Sequence, residues 1–497
     1  MPQDEPQWKR SNPNTVRRRN WRSEKLPSLN TWIRYLSQCG GERGHFLLRR
    51  TVLGLIRAHT VSLSGAVALA RQMRGTEGII GGILCLTTGR RGSRPTRAGR
   101  MIEKRTLRAM AVGSGLAVAN IYYAQPLLAN MGRHFGVPDR RMGLISMLSQ
   151  VGYATGMLLF LPLGDRLERR SFILAMLGAV TVALLGVAAA PSFAWLAAAS
   201  LAVGVTTITP QLLVPFAAHL AEPAERGRVV GTVMSGLLIG ILAARTVSGV
   251  VGGSLGWRTM YGIAAAVMVA LAVSLKGLLP RSQPEGLGVS YLGLLRSIGG
   301  LLRDEPVLRQ SCLLGAMSFG AFSAFWTTLA FHLARPPFGY GSGVVGLFGL
   351  VGIVGALAAP LAGRFADRRS PRWTIGAGLA CILLSYAVLC EFGGTVCGMV
   401  VGVILLDLGA QSAHVSNQSR IYAIRPEARS RMNTAYMVAY FVGGALGSCG
   451  GAWGWGRAGW GGVCLVGLGM TVAGLIAFVA TAGVRLSGDS ISIGGPV

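Results

Sequence analysis

From residue 101 onward the chain alternates apolar runs of about twenty residues with short polar connections. A helix of about 17 to 25 apolar residues crosses the hydrocarbon core of a bilayer. The pattern therefore predicts spans near 107–130, 142–163, 171–190, 193–218, 229–253 and 257–279. After a polar linker from Pro280 to Pro306 it predicts six more, near 307–334, 341–363, 373–391, 395–419, 432–455 and 459–482. Backbone polar groups in lipid must be satisfied within their own segment, so all twelve are expected to be helices. Apolar runs this numerous have no place in a water-soluble fold.

The polar connections repeat. The turn Leu161 to Arg170, LPLGDRLERR, lies between the second and third runs, and Gly363 to Arg372, GRFADRRSPR, lies between the eighth and ninth. Asp165-Arg166 and Asp367-Arg368 are 202 residues apart, and PAERGR from Pro223 matches PEARSR from Pro426 at a spacing of 203. Two loop matches at one offset mark a duplicated half. The expected fold is an all-α membrane protein with twelve transmembrane helices in two six-helix bundles related by pseudo-twofold symmetry. The domains read as a basic extension over 1–100, bundles over 101–280 and 307–482, a cytoplasmic linker over 281–306 and a tail over 483–497.

Charge changes the picture in one respect. The net charge of +29 would suggest nucleic acid in a soluble protein. Of the 29 Lys and Arg from residue 101 onward, however, 22 fall on cytoplasmic segments if the amino-terminal end of the first span is cytoplasmic, six fall outside, and Arg245 lies within a span. That bias is the positive-inside signal for a plasma-membrane protein with both termini in the cytoplasm. No nucleic-acid partner is expected. The first hundred residues carry 19 Lys and Arg against five acids, and their apolar pieces, Val61 to Ala70 and Ile79 to Thr87, are too short to span. They read as a segment without a fold of its own, with MIEKRTLRAM at Met101 an ordinary start for the first span and the extension an over-long reading frame. A basic arm on anionic headgroups is the alternative. The eight cysteines form no CxxC pair and have no His at ligand spacing, so neither a metal nor a cofactor is expected.

The turn LPLGDRLERR resembles the signature loop of the major facilitator superfamily, G-x-x-x-D-R-x-G-R-R, through Asp165, Arg166, Arg169 and Arg170; Leu161 and Glu168 stand where the pattern has glycine. The later copy keeps Gly363, Asp367 and Arg368. NIYYAQPLLANM from Asn120 and DLGAQSAHVSNQSRIYAI from Asp407 are similar to stretches of bacterial drug or sugar efflux permeases. The fifth span can be laid on the superfamily's antiporter pattern, G-x8-G-x3-G-P-x2-G-G, at Gly231, Gly240 and Gly249, but Ala244-Arg245 replaces Gly-Pro and Ser248 replaces the next glycine. The resemblance implies two bundles that rock around a central site lined by spans one, four, seven and ten, and a loop that latches one conformational state, here Asp165, Arg166 and Arg169 with the repeat Asp367 and Arg368.

Physical chemistry adds its own candidates. Asp165 is placed to accept hydrogen bonds from the start of the third helix, where the dipole favours an anion; the arginines of the turn could instead only fix topology. In span ten, Asp407, Gln411, His414 and Gln418 share an arc of about 60°, with Asp407 about 18 Å from the outer end by helical rise. An acid at mid-membrane is a functional candidate, and desolvation lets such a carboxyl exchange protons near neutral pH. The opposing reading is a permanent ion pair with Arg245, the sole basic residue placed inside a span. Asn120 and Tyr123 share a face of span one, where Pro126 should bend the helix; Thr206 and Thr209 lie in span four, and Trp326, Thr327 and Thr328 in span seven. Back-bonding to their own helix is the alternative for the threonines, and packing that for Tyr436 and Tyr440 of span eleven.

These readings converge on a monomeric secondary transporter in lipid. It would export a small organic molecule, drug-like or sugar-like, by alternating access in exchange for protons. Proton symport for uptake is the alternative within the class. A passive channel would leave the duplicated loops unexplained, an enzyme would need a convergent catalytic set, and an ATP-driven pump would need a P-loop, which the chain lacks.

Overall fold

The computed structural model describes residues 103–164, 166–222, 225–283, 290–352, 371–425 and 428–481. The basic extension, Asp165, Asp367, Arg368, most of the repeated turn and the carboxy-terminal tail lie outside the described residues.

Every described element is helical. The first span comprises α1 (Lys104–Ala119), a 3₁₀ turn (Gln125–Leu127) and α2 (Leu128–Phe135). Next come α3 (Asp139–Gly164), α4 (Arg169–Ala188), α5 (Phe193–Thr206), α6 (Thr209–Leu220), α7 (Arg226–Ser254) and α8 (Trp257–Leu278). A linker helix, α9 (Tyr291–Asp304), leads into α10 (Pro306–Leu333), α11 (described over Ser342–Gly352), α12 (Pro371–Phe392), α13 (Val396–Ile424) and α14 (Arg429–Ala480). Nine of the described helical stretches are long and apolar enough to cross a membrane. The 52-residue α14 holds two predicted spans, divided where Ala458 and Gly459 leave helical geometry and Gly459 takes φ +56°, a conformation glycine adopts without steric cost. α11 begins where the eighth predicted span begins; the rest of that span is outside the described residues.

Span one breaks where Pro126 is expected to bend it, and span four is interrupted where no break is expected. Pro126 cannot donate a helical hydrogen bond, and the backbone answers with tighter bonds: the Gln125 amide donates to the Tyr122 carbonyl at 3.3 Å. This break turns Gln125 inward. In span four the helix stops at Thr206 and restarts at Thr209, with Pro210 in the first turn of α6, where a missing N–H costs nothing. The linker is also more than polar chain. Ser290 caps α9 through the Gly293 amide at 3.0 Å, and Leu294, Ile298 and Leu301, at the spacing of one helix face, are buried. The Tyr291 hydroxyl donates to the Leu159 carbonyl in α3 at 2.9 Å, and Glu305 pairs with Arg425 beyond α13 at 2.6 Å.

Small residues set the helix spacing in the second half. Gly443, Gly447 and Gly451 of α14 face Ala316, Gly320 and Ala324 of α10 so closely that a Cβ on any of them would collide with the partner backbone, as expected of close helix contact in lipid.

The signature turn has a cap that the family pattern does not contain. Glu168, the residue standing in for the pattern's second glycine, accepts from the Arg170 and Ser171 amides at 3.1 and 2.8 Å at the start of α4, and from the Ser282 amide beyond α8 at 3.0 Å. Partial burial pushes its carboxyl up, but the Ser171 hydroxyl and the amides of Ser282, Ser171 and Arg170 outweigh that and bring it from 4.5 to about 2. A depressed folded-state value stabilises the protein above the unfolded value and is lost as pH falls through the folded one. Glu168→Gln should therefore flatten the decline of melting temperature between pH 4.5 and about 2; an unchanged acid limb would show the cap to be dispensable. Arg170 donates to the Leu279 carbonyl at 3.2 Å, Arg169 lies over the Phe216 ring at 5.8 Å, and Arg166 is exposed. Arg169 and Arg170 thus tie the turn to its own half.

Candidate functional site

The break at Pro126 has a chemical consequence at mid-depth. Gln125 is 4% exposed, and its Oε1 accepts from Arg245 Nε of α7 at 2.7 Å. Arg245 is fully buried. Its guanidinium lies 4.0 Å from the centroid of Trp326, 5.0 Å from Tyr122 and 5.4 Å from Phe322, so three electron-rich faces take the place of water around the cation. Among the described residues, neither terminal nitrogen has a hydrogen-bond partner.

Asp407 of α13 is likewise fully buried, and neither carboxylate oxygen has a hydrogen-bond partner among the described residues. It packs on α11, where a Cβ at Gly352 would lie 3.2 Å from Oδ2. The ion pair offered as the alternative is not formed. The guanidinium turns instead to the Gln125 amide and Tyr122 ring of the first half and to the Trp326 and Phe322 rings of the second. Arg245 is also not the sole buried cation of a span. α13 continues to Ile424, past its predicted end, and Arg420 is 4% exposed with its Nη2 donating to Gln310 Oε1 of α10 at 2.8 Å.

The polar stripe of span ten faces α14. His414 Nδ1 meets the Tyr436 hydroxyl at 3.0 Å, and its ring lies 4.6 Å from that of Tyr440. Gln418 Nε2 donates to Asn433 Oδ1 at 3.2 Å, an oxygen that also accepts from the Tyr422 hydroxyl at 2.9 Å. Gln411 is half-buried. Asn120 is 3% exposed, with Nδ2 on the Met268 sulfur at 3.3 Å and Oδ1 without a partner. Tyr123 is 6% exposed and belongs to the buried apolar core. Trp326 closes over Arg245 with its indole nitrogen unpartnered. Thr206 and Thr328 bond back to their own helices at 2.7 and 2.8 Å, whereas Thr327 reaches Ser448 at 2.9 Å.

Hydrogen bonds between described residues join the two halves at mid-depth and toward the end remote from the signature turn. Gln150 of α3 donates to Ser448 at 3.0 Å, Thr246 of α7 to the Gly346 carbonyl at 2.9 Å, and Asn130 of α2 to Ser342 at 3.1 Å. At the remote end itself, Asp139 Oδ2 accepts from Arg335 at 2.8 Å and from the Trp455 indole at 3.2 Å. Sequence reasoning misses Gln125, Glu168, Asp139 and Arg335. Gln125 alone has a local signal, its place beside a proline in mid-span. Removing the acid with Asp139→Asn should raise the open-to-closed ratio at this end up to about fivefold, the range of a partly exposed ion pair. Labelling of Cys449 by a membrane-impermeant maleimide reads that opening, and unchanged labelling would show the contact to be incidental.

Long apolar helices enclosing a buried acid and a buried arginine, in halves pinned together at one end, define a multi-pass membrane protein. The chain belongs to the major facilitator superfamily: the family model of that description matches residues 110–447 and again 312–490. It is 43% identical over 368 residues to the uncharacterized transporter YgaY of Escherichia coli O157:H7, covering 74% of this chain and 93% of that one. It is also 24% identical over 390 residues to the inner membrane transport protein YnfM of Escherichia coli strain K12, covering 75% and 88%. Among solved structures, a point mutant of the nucleoside transporter NupG superposes with a TM-score of 0.62 at 15% identity, over 76% of this chain and 99% of that one. A bacterial homolog of the human lysosomal transporter Spinster, in an inward-facing and occupied conformation, gives 0.59 at 15% identity, over 79% and 97%. These likenesses establish the fold. The protein is a secondary transporter of a family of carriers, not of enzymes.

Proposed function

We propose that the protein exports a small organic molecule, drug-like or sugar-like, across the bacterial inner membrane in exchange for protons, with Asp407 as the proton carrier and both termini cytoplasmic. The observation that supports this reading most is the Asp407 carboxyl group, fully buried with no partner for either oxygen among the described residues. A carboxylate so placed bears its full desolvation cost, which a proton removes. Releasing that proton requires water or a cation to reach the acid, and alternating access supplies such an opening on each side in turn. The inner-membrane placement rests on the similarity to YnfM, and the orientation on the distribution of Lys and Arg.

Asn120, Tyr123, Arg245, Trp326, Gln411 and His414 complete the proposed pathway for substrate and protons, and a single chain supplies both halves, so a monomer suffices. Asp165, Arg166 and Arg169, with the repeat Asp367 and Arg368, are proposed as the latch on the cytoplasmic face. The unpartnered terminal nitrogens of Arg245 favour one second reading. With Asp407 neutralised, the site keeps a net positive charge that draws an anion, and proton and anion would travel together.

Everted membrane vesicles holding a proton gradient test the first reading. Compounds that raise the melting temperature of the purified protein should collapse the gradient on addition, only in vesicles that contain the protein. Bound compounds that leave the gradient intact would exclude antiport, and a gradient that drives the compound out of the vesicles would favour symport.

A further inference from the structure

At the end remote from the signature turn, a cavity of 680 Å³ opens between the start of α3 and the middle of α14. Its polar walls are Asp139, Arg140, Arg141 and Arg335, and its apolar walls include Leu144, Trp453 and Trp455. Asp139 is already engaged by Arg335 and the Trp455 indole. Arg140 and Arg141 are exposed, and neither side chain has a hydrogen bond or ion pair with another described residue. The stem of Arg140 lies against Gly456 of α14, where a Cβ would meet it at 3.1 Å.

The charge distribution makes this cluster unusual. Only Arg133, Arg140, Arg141, Arg258, Arg335 and Arg457 lie on this face of the predicted topology. Three of them line the cavity, and a fourth, Arg457, sits 4.8 Å over the ring of Trp453 in its wall. A face depleted of cations thus gathers most of those it has in one place. Trp453 is 46% exposed and Leu144 is half-buried, so the cleft combines a cationic side with an indole and aliphatic one. Tryptophan belongs at that depth, and a guanidinium edge matches phosphate oxygens bidentately.

We propose that this cleft binds the phosphate of an anionic phospholipid headgroup, with Arg140 and Arg141 holding the oxyanion and Trp453 and Leu144 lying along the glycerol and upper acyl chain. A lipid seated there touches α3 of one half and α14 of the other beside the Asp139–Arg335 contact, so its occupancy favours the closed arrangement of that end. This site is separate from Asp407 and does not depend on the direction of transport.

Native mass spectrometry of the full chain, purified in detergent and given an equimolar mixture of phosphatidylglycerol and phosphatidylcholine, tests the assignment. The protein should retain phosphatidylglycerol preferentially, and each arginine should contribute about fivefold to that preference. Arg140→Gln with Arg141→Gln should abolish it, whereas Arg133→Gln, on the same face away from the cleft, should leave it intact. Equal retention of the two lipids by the unaltered protein, or an equal loss from Arg133→Gln, would overturn the proposal. A preference erased by inorganic phosphate but not by sodium chloride at matched ionic strength would overturn the lipid as the source and assign the cleft to a free oxyanion.

Discussion

Replacing Asp407 with asparagine should abolish proton-coupled flux while leaving a folded protein in the membrane. Asparagine keeps the shape of the side chain and removes only the ability to gain and lose a proton, so the packing on Gly352 is preserved. Folding should not depend on the charge, because neither oxygen of Asp407 has a hydrogen-bond partner among the described residues to lose. A neutral amide in the same place escapes the desolvation penalty that a carboxylate carries, so melting temperature should be unchanged or higher. Coupled flux in proteoliposomes should fall by about a hundredfold or more, the range associated with loss of a positioned proton-transfer group. Exchange of substrate across the membrane without a proton gradient should survive, since rocking of the halves needs no titration when the site is permanently neutral. Unchanged coupling in this variant would remove Asp407 from the mechanism and with it the proposed antiport.

The second large effect concerns Arg245. If this arginine were a structural strut, removing it would destabilise the protein, because breaking a buried pair typically costs about 3 to 5 kcal/mol. The geometry argues for the opposite. Among the described residues its terminal nitrogens have no hydrogen-bond partner, and its one side-chain hydrogen bond is to a neutral amide. Arg245→Met combined with Gln125→Leu removes both ends of that bond and fills similar volume with apolar atoms. Exchanges of this kind are neutral or stabilising by about 1 to 4 kcal/mol, less what the cation loses over Trp326, Tyr122 and Phe322. Melting temperature should therefore hold or rise, whereas coupled transport should fall by at least about tenfold, because Asp407 loses the positive field that tolerates its ionised form. A protein that melts lower yet transports normally would show the arginine to be scaffolding.

Asp407 is legible in the chain because an acid in a twenty-residue apolar run is conspicuous whatever surrounds it. The stripe through His414 and Gln418 follows from helical spacing, and both side chains find polar partners on α14. Glu168 is easily passed over because it departs from the family pattern, yet it is the residue that caps α4 and holds the chain beyond α8. Gln125 hides inside the break made by Pro126, and its role depends on a helix 120 residues away. The alternative of an ion pair fails for a related reason: residue counting places two charges at similar depth but says nothing about the direction each side chain takes.

Solvent, helices, duplicated halves and the depth of the acid all follow from the linear order of residues. Hydrophobic length and helical periodicity are local properties, and lipid leaves the backbone almost no alternative. That Arg245 turns to Gln125 and Trp326 instead of Asp407, that Asp139 and Arg335 meet across the halves, and that four arginines gather at one cleft are consequences of the folded bundle. Each is a contact between helices distant in the chain, and which faces meet is set by packing across a bundle, for which a linear pattern carries no coordinate.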